Sequence, residues 1–239
     1  MDHVNIRLAI ALLCLLSLSQ TASAVVLTQP DGLAAGDRYR FVFVTSDTDD
    51  AKSEDIDDYD DFVQDLAEAA GLGRAWRVIG STGIGGNPVR ADQHTDTEVG
   101  EDLDAAIFGV FGTLIANDYD DLWDESIRNG GIRINEKGDD VGSGKRVWTG
   151  TLSDGQSGGF LGALGGQNFL GSVVYGRTGK TDESWVEDDL AGEDKEYRFY
   201  AISDVRIATP EPSSIIIWTL AIAGAGFARS RFRKRKQPT

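Results

Sequence analysis

The most regular stretch of the chain is Tyr39-Arg-Phe41-Val-Phe43-Val-Thr45, where aromatic residues recur at every second position and predict a β-strand. A helix is predicted from near Asp57, with Phe62, Leu66 and Ala69–Ala70 at i, i+4 and i+7/i+8 forming one apolar face and Gly71 ending it. Trp76–Thr82 reads as a buried strand that enters a glycine-rich turn, and residues 83–104 read as polar and irregular. Ile107–Ile115 is apolar but broken by Gly109 and Gly112. Ile132–Ile134, Lys145–Thr151, Val173–Gly176 and Tyr197–Val205 are further strands, separated by Asn-Gly, Lys-Gly-Asp, Asp-Gly and Thr-Gly turns. The 29 glycines favour turns between short strands over long helices. The expected fold class is α+β, with mostly antiparallel short strands, one or two helices and long Gly/Asp-rich loops. No fixed repeat period argues for a solenoid or propeller.

Both ends carry a different pattern. Residues 1–24 read as a signal peptide: Arg7, the apolar run Leu8–Leu16, then Ala22-Ser23-Ala24 as a small-x-small cleavage site before Val25. Cys14, the single cysteine, follows Leu13 and lacks the small residue that a lipoprotein signal needs, so the exported region is free of thiol and disulfide chemistry. At the other end Ser213–Ala228 is an uncharged run, mostly apolar, followed by Arg229, Arg231, Arg233, Lys234, Arg235 and Lys236. The run is shorter than the about 20 residues of an ordinary span. Arg229 and Arg231 can close the deficit by lifting their charges to the headgroups. The basic cluster predicts a transmembrane helix over 213–228 with a cytoplasmic tail over 229–239, and everything before Pro212 outside. Three regions follow: 1–24 signal peptide, 25–208 exported globular domain, 209–239 sorting segment.

Charge gains meaning once the ends are set aside. The chain carries −16; residues 1–24 sum to zero and 213–239 to +6, leaving −22 on 25–212. Such a domain repels nucleic acid and anionic membrane surfaces. It suits divalent cations, basic partners or simply solubility.

Thr209-Pro210-Glu211-Pro212, the short apolar run and the Arg-rich end together resemble the PEP-CTERM sorting signal of Gram-negative bacteria. The resemblance covers 209–236 and implies that the chain is the substrate of an exosortase, a membrane-embedded cysteine transpeptidase-like enzyme, with Pro210, Glu211 and Pro212 as the recognition motif. It also implies export in bacteria that build extracellular polysaccharide. A second set of landmarks runs from Trp76-Arg77-Val78-Ile79 with Ser81-Thr82, through Asp121-Leu122-Trp123-Asp124 and Val147-Trp148-Thr149-Gly150-Thr151, to Trp185 and Tyr197-Arg-Phe-Tyr200-Ala-Ile202. Their order resembles the endostatin-like branch of the C-type-lectin-like fold over about residues 39–207. That resemblance implies pairing of the first and last strands, here Tyr39–Thr45 with Tyr197–Val205. The chain departs from the family in lacking its flanking cysteines and the Glu-Pro-Asn or Gln-Pro-Asp triplet of sugar-binding calcium sites.

Candidate chemistry is sparse. Asp118, Asp120 and Asp121 offer oxygen ligands for calcium, or Asn117 or Asp118 caps a short helix whose Leu122 and Trp123 face the core. Asp47-Thr-Asp49 fails as an EF-hand, because Lys52 stands where the loop needs glycine. His94, the single histidine after the signal peptide, reads as a solvated loop residue, and no Gly-x-Ser-x-Gly elbow accompanies it. Trp76, Trp123, Trp148 and Trp185 read as core, with a sugar-stacking platform as the alternative. No cofactor is expected beyond calcium. The expected function is binding or structural, at the cell surface or in extracellular matrix, with exosortase, secretion machinery and extracellular polysaccharide as partners. The alternative is a secreted carbohydrate-active hydrolase using paired carboxylates. All but one of the chain's 39 acidic residues lie between 25 and 212, so carboxylates alone select no pair.

Overall fold

The computed structural model describes residues 27–210 apart from 74, 84–87, 99–104, 160–161 and 167–170. The signal peptide with Ala22 and Ala24, the motif residues Glu211 and Pro212, the span 213–228 and the basic positions Arg229 to Lys236 lie outside the described residues. Pro210 is described and is exposed. Among the described residues no helix is long and apolar enough to cross a membrane.

The organising strand is β1, Arg38–Val44, in which every residue but Arg38 is buried. Tyr39, Phe41 and Phe43 enter one core and Val42 and Val44 another on the opposite face, so the sheet is covered on both sides. The strands β2 (Trp76–Val78), β3 (Ala106–Gly109), β4 (Leu114–Ala116), β5 (Arg146–Trp148), β6 (Ser172–Arg177), β7 (Asp189–Gly192), β8 (Arg198–Ser203) and β9 (Arg206–Ile207) join it in one mixed sheet. Its order is β4-β3-β1-β8-β5-β6-β7, with β2 also on β8 and β9 also on β1. The β1–β3 and β5–β8 pairs are parallel and the others antiparallel, which fits an α+β fold of mostly antiparallel strands.

The first and last long strands pair, with Val42 opposite Ile202 and Val44 opposite Tyr200. Where β8 gives way to β9, the Ser203 hydroxyl accepts the Phe41 N–H at 2.9 Å and fills the break in the ladder. The chain ends of the domain therefore lie side by side. Gly36 N–H donates to the Ala208 carbonyl at 2.9 Å, Ala208 N–H to Asp37 at 2.8 Å, and Thr209 N–H to Gln29 Oε1 at 2.8 Å.

Helix α1, Ile56–Ala69, starts at Asp55, whose carboxylate accepts Asp57 N–H, and carries Asp57 and Asp58 in its first turn, where the helix dipole favours them. It ends as Gly71 predicts. Gly71 N–H returns to Glu68 and Leu72 N–H to Ala67, with Gly71 at φ +79°, a left-handed turn that glycine adopts without a Cβ penalty. The buried stripe, however, is Ile56, Tyr59, Val63 and Ala67, while Phe62 and Leu66 flank it partly buried. The shift has a polar cause. Asp60 Oδ1 accepts Val78 N–H at 2.8 Å and Gln64 Oε1 accepts Trp76 N–H at 2.9 Å, so two polar side chains of the helix face β2 and satisfy its outer N–H groups.

Two other expectations change. Ile132–Ile134 makes only isolated bridges, Ile134 with Asp140 and Asn135 with Val44, because Asn129, Gly130 and Gly131 all take positive φ just before it. Residues 83–104 are not wholly irregular, since Ala91–His94 forms a short helix, α2; a third, α3, spans Tyr119–Leu122. The acidic loop after β1 is anchored at Ala51, which is buried and ties to Glu193 and Gly165 through its backbone.

Candidate functional site

The three aspartates singled out in the sequence come together only in part. Asp118 is the N-cap of α3, its Oδ1 accepting Asp121 N–H at 2.7 Å. Asp121 accepts two bonds from Arg128, Nε at 2.7 Å and a second nitrogen at 3.0 Å, and one from Asn117 N–H at 2.7 Å. Asp120 is exposed. Arg128, by its hydrogen bonds, holds the Asp121 carboxyl below the ordinary carboxylate range. No group of three His, Cys, Asp or Glu side chains placed to hold a metal occurs among the described residues. Asp118 caps the helix and Asp121 is engaged by one guanidinium and the Asn117 N–H.

A depressed carboxyl pKa contributes stability that is present above the unfolded value of about 3.9 and lost as pH falls through the folded value. The pair is largely solvent-facing on the arginine side, so the effect is small at neutral pH. Asp121→Asn is therefore expected to flatten the acid limb of the Tm-against-pH curve below about pH 4, equally in calcium and in chelator. A calcium-specific loss of stabilisation in the variant would instead make Asp121 a metal ligand.

His94 is not a solvated residue. Its Nε2 lies 3.0 Å from Asp60 Oδ1, and the pair bridges α2 to α1 beside β2. Among the described residues no hydroxyl is hydrogen-bonded to its ring. The four tryptophans are buried: Trp148 and Trp185 completely, Trp76 and Trp123 nearly so. Trp123 Nε1–H donates to Thr97 Oγ1 at 3.0 Å and Trp148 Nε1–H to the Lys195 carbonyl at 3.2 Å. None offers a free ring face as a platform.

The landmark residues Ser81-Thr82 and Trp148–Thr151 converge on a buried polar joint. Ser81 Oγ and Thr151 Oγ1 are 2.9 Å apart, Ser81 Oγ accepts Ala91 N–H at 2.9 Å, and Thr149 Oγ1 donates to the Val186 carbonyl at 2.7 Å. Gly150, at φ +60°, is required there, because a Cβ would lie 2.5 Å from both Leu164 N and the Ser81 carbonyl. This joint is closed and structural.

Two open clefts remain of interest. One, about 180 Å³, lies between the β3–β4 turn and residues 129–134, beside the exposed ring of Phe111. The other, about 380 Å³, has Leu152, Val174 and Leu190 as apolar walls and Glu187, Asp188 and Asp189 as its rim. Each rim carboxylate already has a partner: Glu187 accepts Ser153 N–H, Asp188 accepts Arg177 Nε–H, and Asp189 accepts Leu190 N–H.

Next to that rim, at one end of the core face of β5 and β6, five side chains form a continuous stack that sequence reasoning missed. Tyr197 lies on Trp148 with ring centroids 4.4 Å apart. The Arg146 guanidinium sits 5.4 Å over the Tyr197 ring and 5.0 Å over Tyr175, and Arg177 sits 5.6 Å over Tyr175. Arg146 also donates to Tyr197 Oη at 2.6 Å. Burial pushes the Tyr175 phenol up, against the pull of the two arginines.

A scan against known protein families finds no model that matches this chain, and none of the curated proteins searched is similar to it.

Proposed function

We propose that the chain is an exported protein of the cell surface or extracellular matrix, of binding or structural type, sorted through its C-terminal PEP-CTERM-like signal by an exosortase. The observation that carries this reading is the bracketing of one acidic domain by two topogenic segments, a signal peptide over 1–24 and the motif, apolar run and basic tail over 209–239. The fold is compatible with such delivery. Its two chain ends lie side by side, Thr209 on Gln29 and Ala208 on Gly36 and Asp37. A leader and a membrane-held tail then leave the domain at one pole, and the rest of its surface is free to face outward. The −22 charge of residues 25–212 keeps such a domain soluble and off anionic surfaces.

The alternative, a secreted hydrolase with paired carboxylates, needs two carboxylates facing each other across a cleft, one free to donate a proton and one free to attack or activate water. At the cleft rimmed by Glu187, Asp188 and Asp189, each of the three side chains is engaged by its own neighbour, so that cleft does not favour this reading over binding.

Replacing Pro210, Glu211 and Pro212 by alanine in the native host is expected to leave a full-length, membrane-held precursor. Cell fractionation with an antibody to the domain reads the result. Release of processed protein in normal amount from the variant would sink the sorting proposal.

A further inference from the structure

The β5–β6 pairing places Arg146 directly opposite Arg177. Like charges directly opposite each other across an antiparallel pair are destabilising. Arg177 is neutralised by Asp188, with Nε 2.6 Å from Oδ2. Arg146 is exposed and has no carboxylate partner among the described residues, although the domain carries a large acidic excess. Its guanidinium is nevertheless held in one orientation, between the Tyr175 and Tyr197 rings and on the Tyr197 hydroxyl. Arg128 and Arg133, exposed like Arg146, are paired with Asp121 and Asp140, whereas Arg38 is also exposed without a carboxylate partner among the described residues.

We infer that Arg146, with the partly exposed Tyr197 hydroxyl beside it, forms a binding site for a hydroxylated carboxylate of the hexuronate type, while the buried Tyr175 ring orients the guanidinium from beneath. A planar guanidinium fork that is already oriented loses little entropy when it accepts a carboxylate, and it does so bidentately. A carboxylate placed there supplies Arg146 with the counter-charge that Asp188 already supplies to Arg177. The Tyr197 hydroxyl accepts from the fork at 2.6 Å and can itself donate to a hydroxyl that neighbours a sugar carboxylate. The surrounding charge narrows the ligand further. Asp189 lies opposite Tyr175 and Asp188 sits on Arg177, and the domain as a whole is acidic, so a dense polyanion is repelled. A sugar chain with isolated uronate units is admitted. The site deepens the binding reading of this domain by naming a ligand class, yet it concerns the domain's surface alone and holds wherever the chain is delivered.

The test is isothermal titration of the purified full-length chain with D-glucuronate, D-glucose, acetate and poly-L-aspartate, at low and at physiological salt. Glucuronate is expected to bind in the millimolar range, glucose not measurably, and acetate at least about ten-fold more weakly because it lacks the flanking hydroxyls. Arg146→Ala is expected to weaken glucuronate at least ten-fold. Arg146→Lys keeps the charge but not the fork and is expected to recover only part of the affinity. Arg133→Ala, on another loop, serves as the control and retains binding. A melting curve on each variant separates misfolding from loss of the site, and Tyr197→Phe, which keeps the stack and removes one hydroxyl, gives a second reading if Arg146→Ala melts early. Equal binding of acetate and glucuronate, unchanged affinity in Arg146→Ala, or binding of poly-L-aspartate in place of glucuronate would each overturn the inference. Because processing of the C-terminal signal is read separately in cells, failure here leaves the sorting proposal standing.

Discussion

Trp185→Ala is expected to cost about 3–5 kcal/mol, the range for removing a large aromatic side chain from a packed core. Trp185 is fully buried at the end of a short 3₁₀ turn, Glu183–Trp185. Its ring lies 5.8 Å from both Trp123 and Tyr200, so it links the α3 side of the second core to β8. Collapse of the cavity is blocked by the backbone, since Gly176 of β6 meets the Trp185 carbonyl so closely that even a Cβ there would lie 2.1 Å from it. Against a total stability of about 5–15 kcal/mol, such a loss leaves a domain near its folding threshold. Urea unfolding followed by tryptophan fluorescence measures it, provided the slope m is unchanged.

The same cluster makes a sharper companion test. Trp185 Nε1 and Tyr200 Oη are buried without a hydrogen-bond partner among the described residues. A buried, unsatisfied donor costs about 1–3 kcal/mol, which is recovered when the polar atom is removed without changing the shape. Tyr200→Phe is therefore expected to leave stability unchanged or raise it by up to about 1 kcal/mol. Trp185→Phe is expected to lose less than half of what Trp185→Ala loses. A clear destabilisation by Tyr200→Phe would mean that its hydroxyl is satisfied by buried water and that the cluster is wet.

Some of this architecture is legible in the sequence for physical reasons that can be named. The aromatic alternation at 39–43 marks β1, and Gly71 marks the end of α1 through the left-handed turn it provides. What is not legible is what covers the even positions Arg40, Val42 and Val44, because the residues of the second core, such as Tyr119 and Trp185, are distant in sequence. β7 is invisible for a related reason. Asp189-Leu-Ala-Gly192 has no strand pattern of its own and is a strand only because β6 offers it a ladder. The acidic run at 118–121 carries the composition of a metal site, yet a helix N-terminus and Arg128 compete for those carboxylates. Arg146 and Arg177 stand 31 positions apart, and nothing in either segment sets their register; only the pairing of β5 with β6 brings them face to face.

Arg40 is the residue for which sequence and structure differ most, and its loss is the second large effect expected. In an alternating strand it reads as the solvent-facing partner of Tyr39 and Phe41. It is instead 1 % exposed, because β1 lies between β3 and β8 and its outer face is roofed by residues 95–97 and Tyr119. Its charge is met by carbonyl oxygens instead of by a carboxylate. Nε–H donates to the Ser203 carbonyl at 2.6 Å, and a second nitrogen donates to the carbonyls of Thr95 and, at 3.3 Å, Asp96. Burial lowers the guanidinium pKa, with Tyr119, Asp204 and Asp96 acting against it. Replacing a buried ion by an apolar group is often neutral when its partners are replaced too. Here the partners are backbone and remain. Arg40→Ala leaves three carbonyls without their donor and a cavity beneath the 95–97 segment, and is expected to cost about 3–5 kcal/mol. Arg40→Lys is expected to recover less than half of this, since one ammonium cannot reach Ser203 and Thr95 in opposite directions as a guanidinium does. Hydrogen exchange should show lost protection first at Thr95 and Thr97, whose N–H groups bond to Ala91 and Asp92 within the segment that Arg40 ties down. If Arg40→Lys matches the parent in urea, the fork is dispensable and the buried charge alone holds the segment.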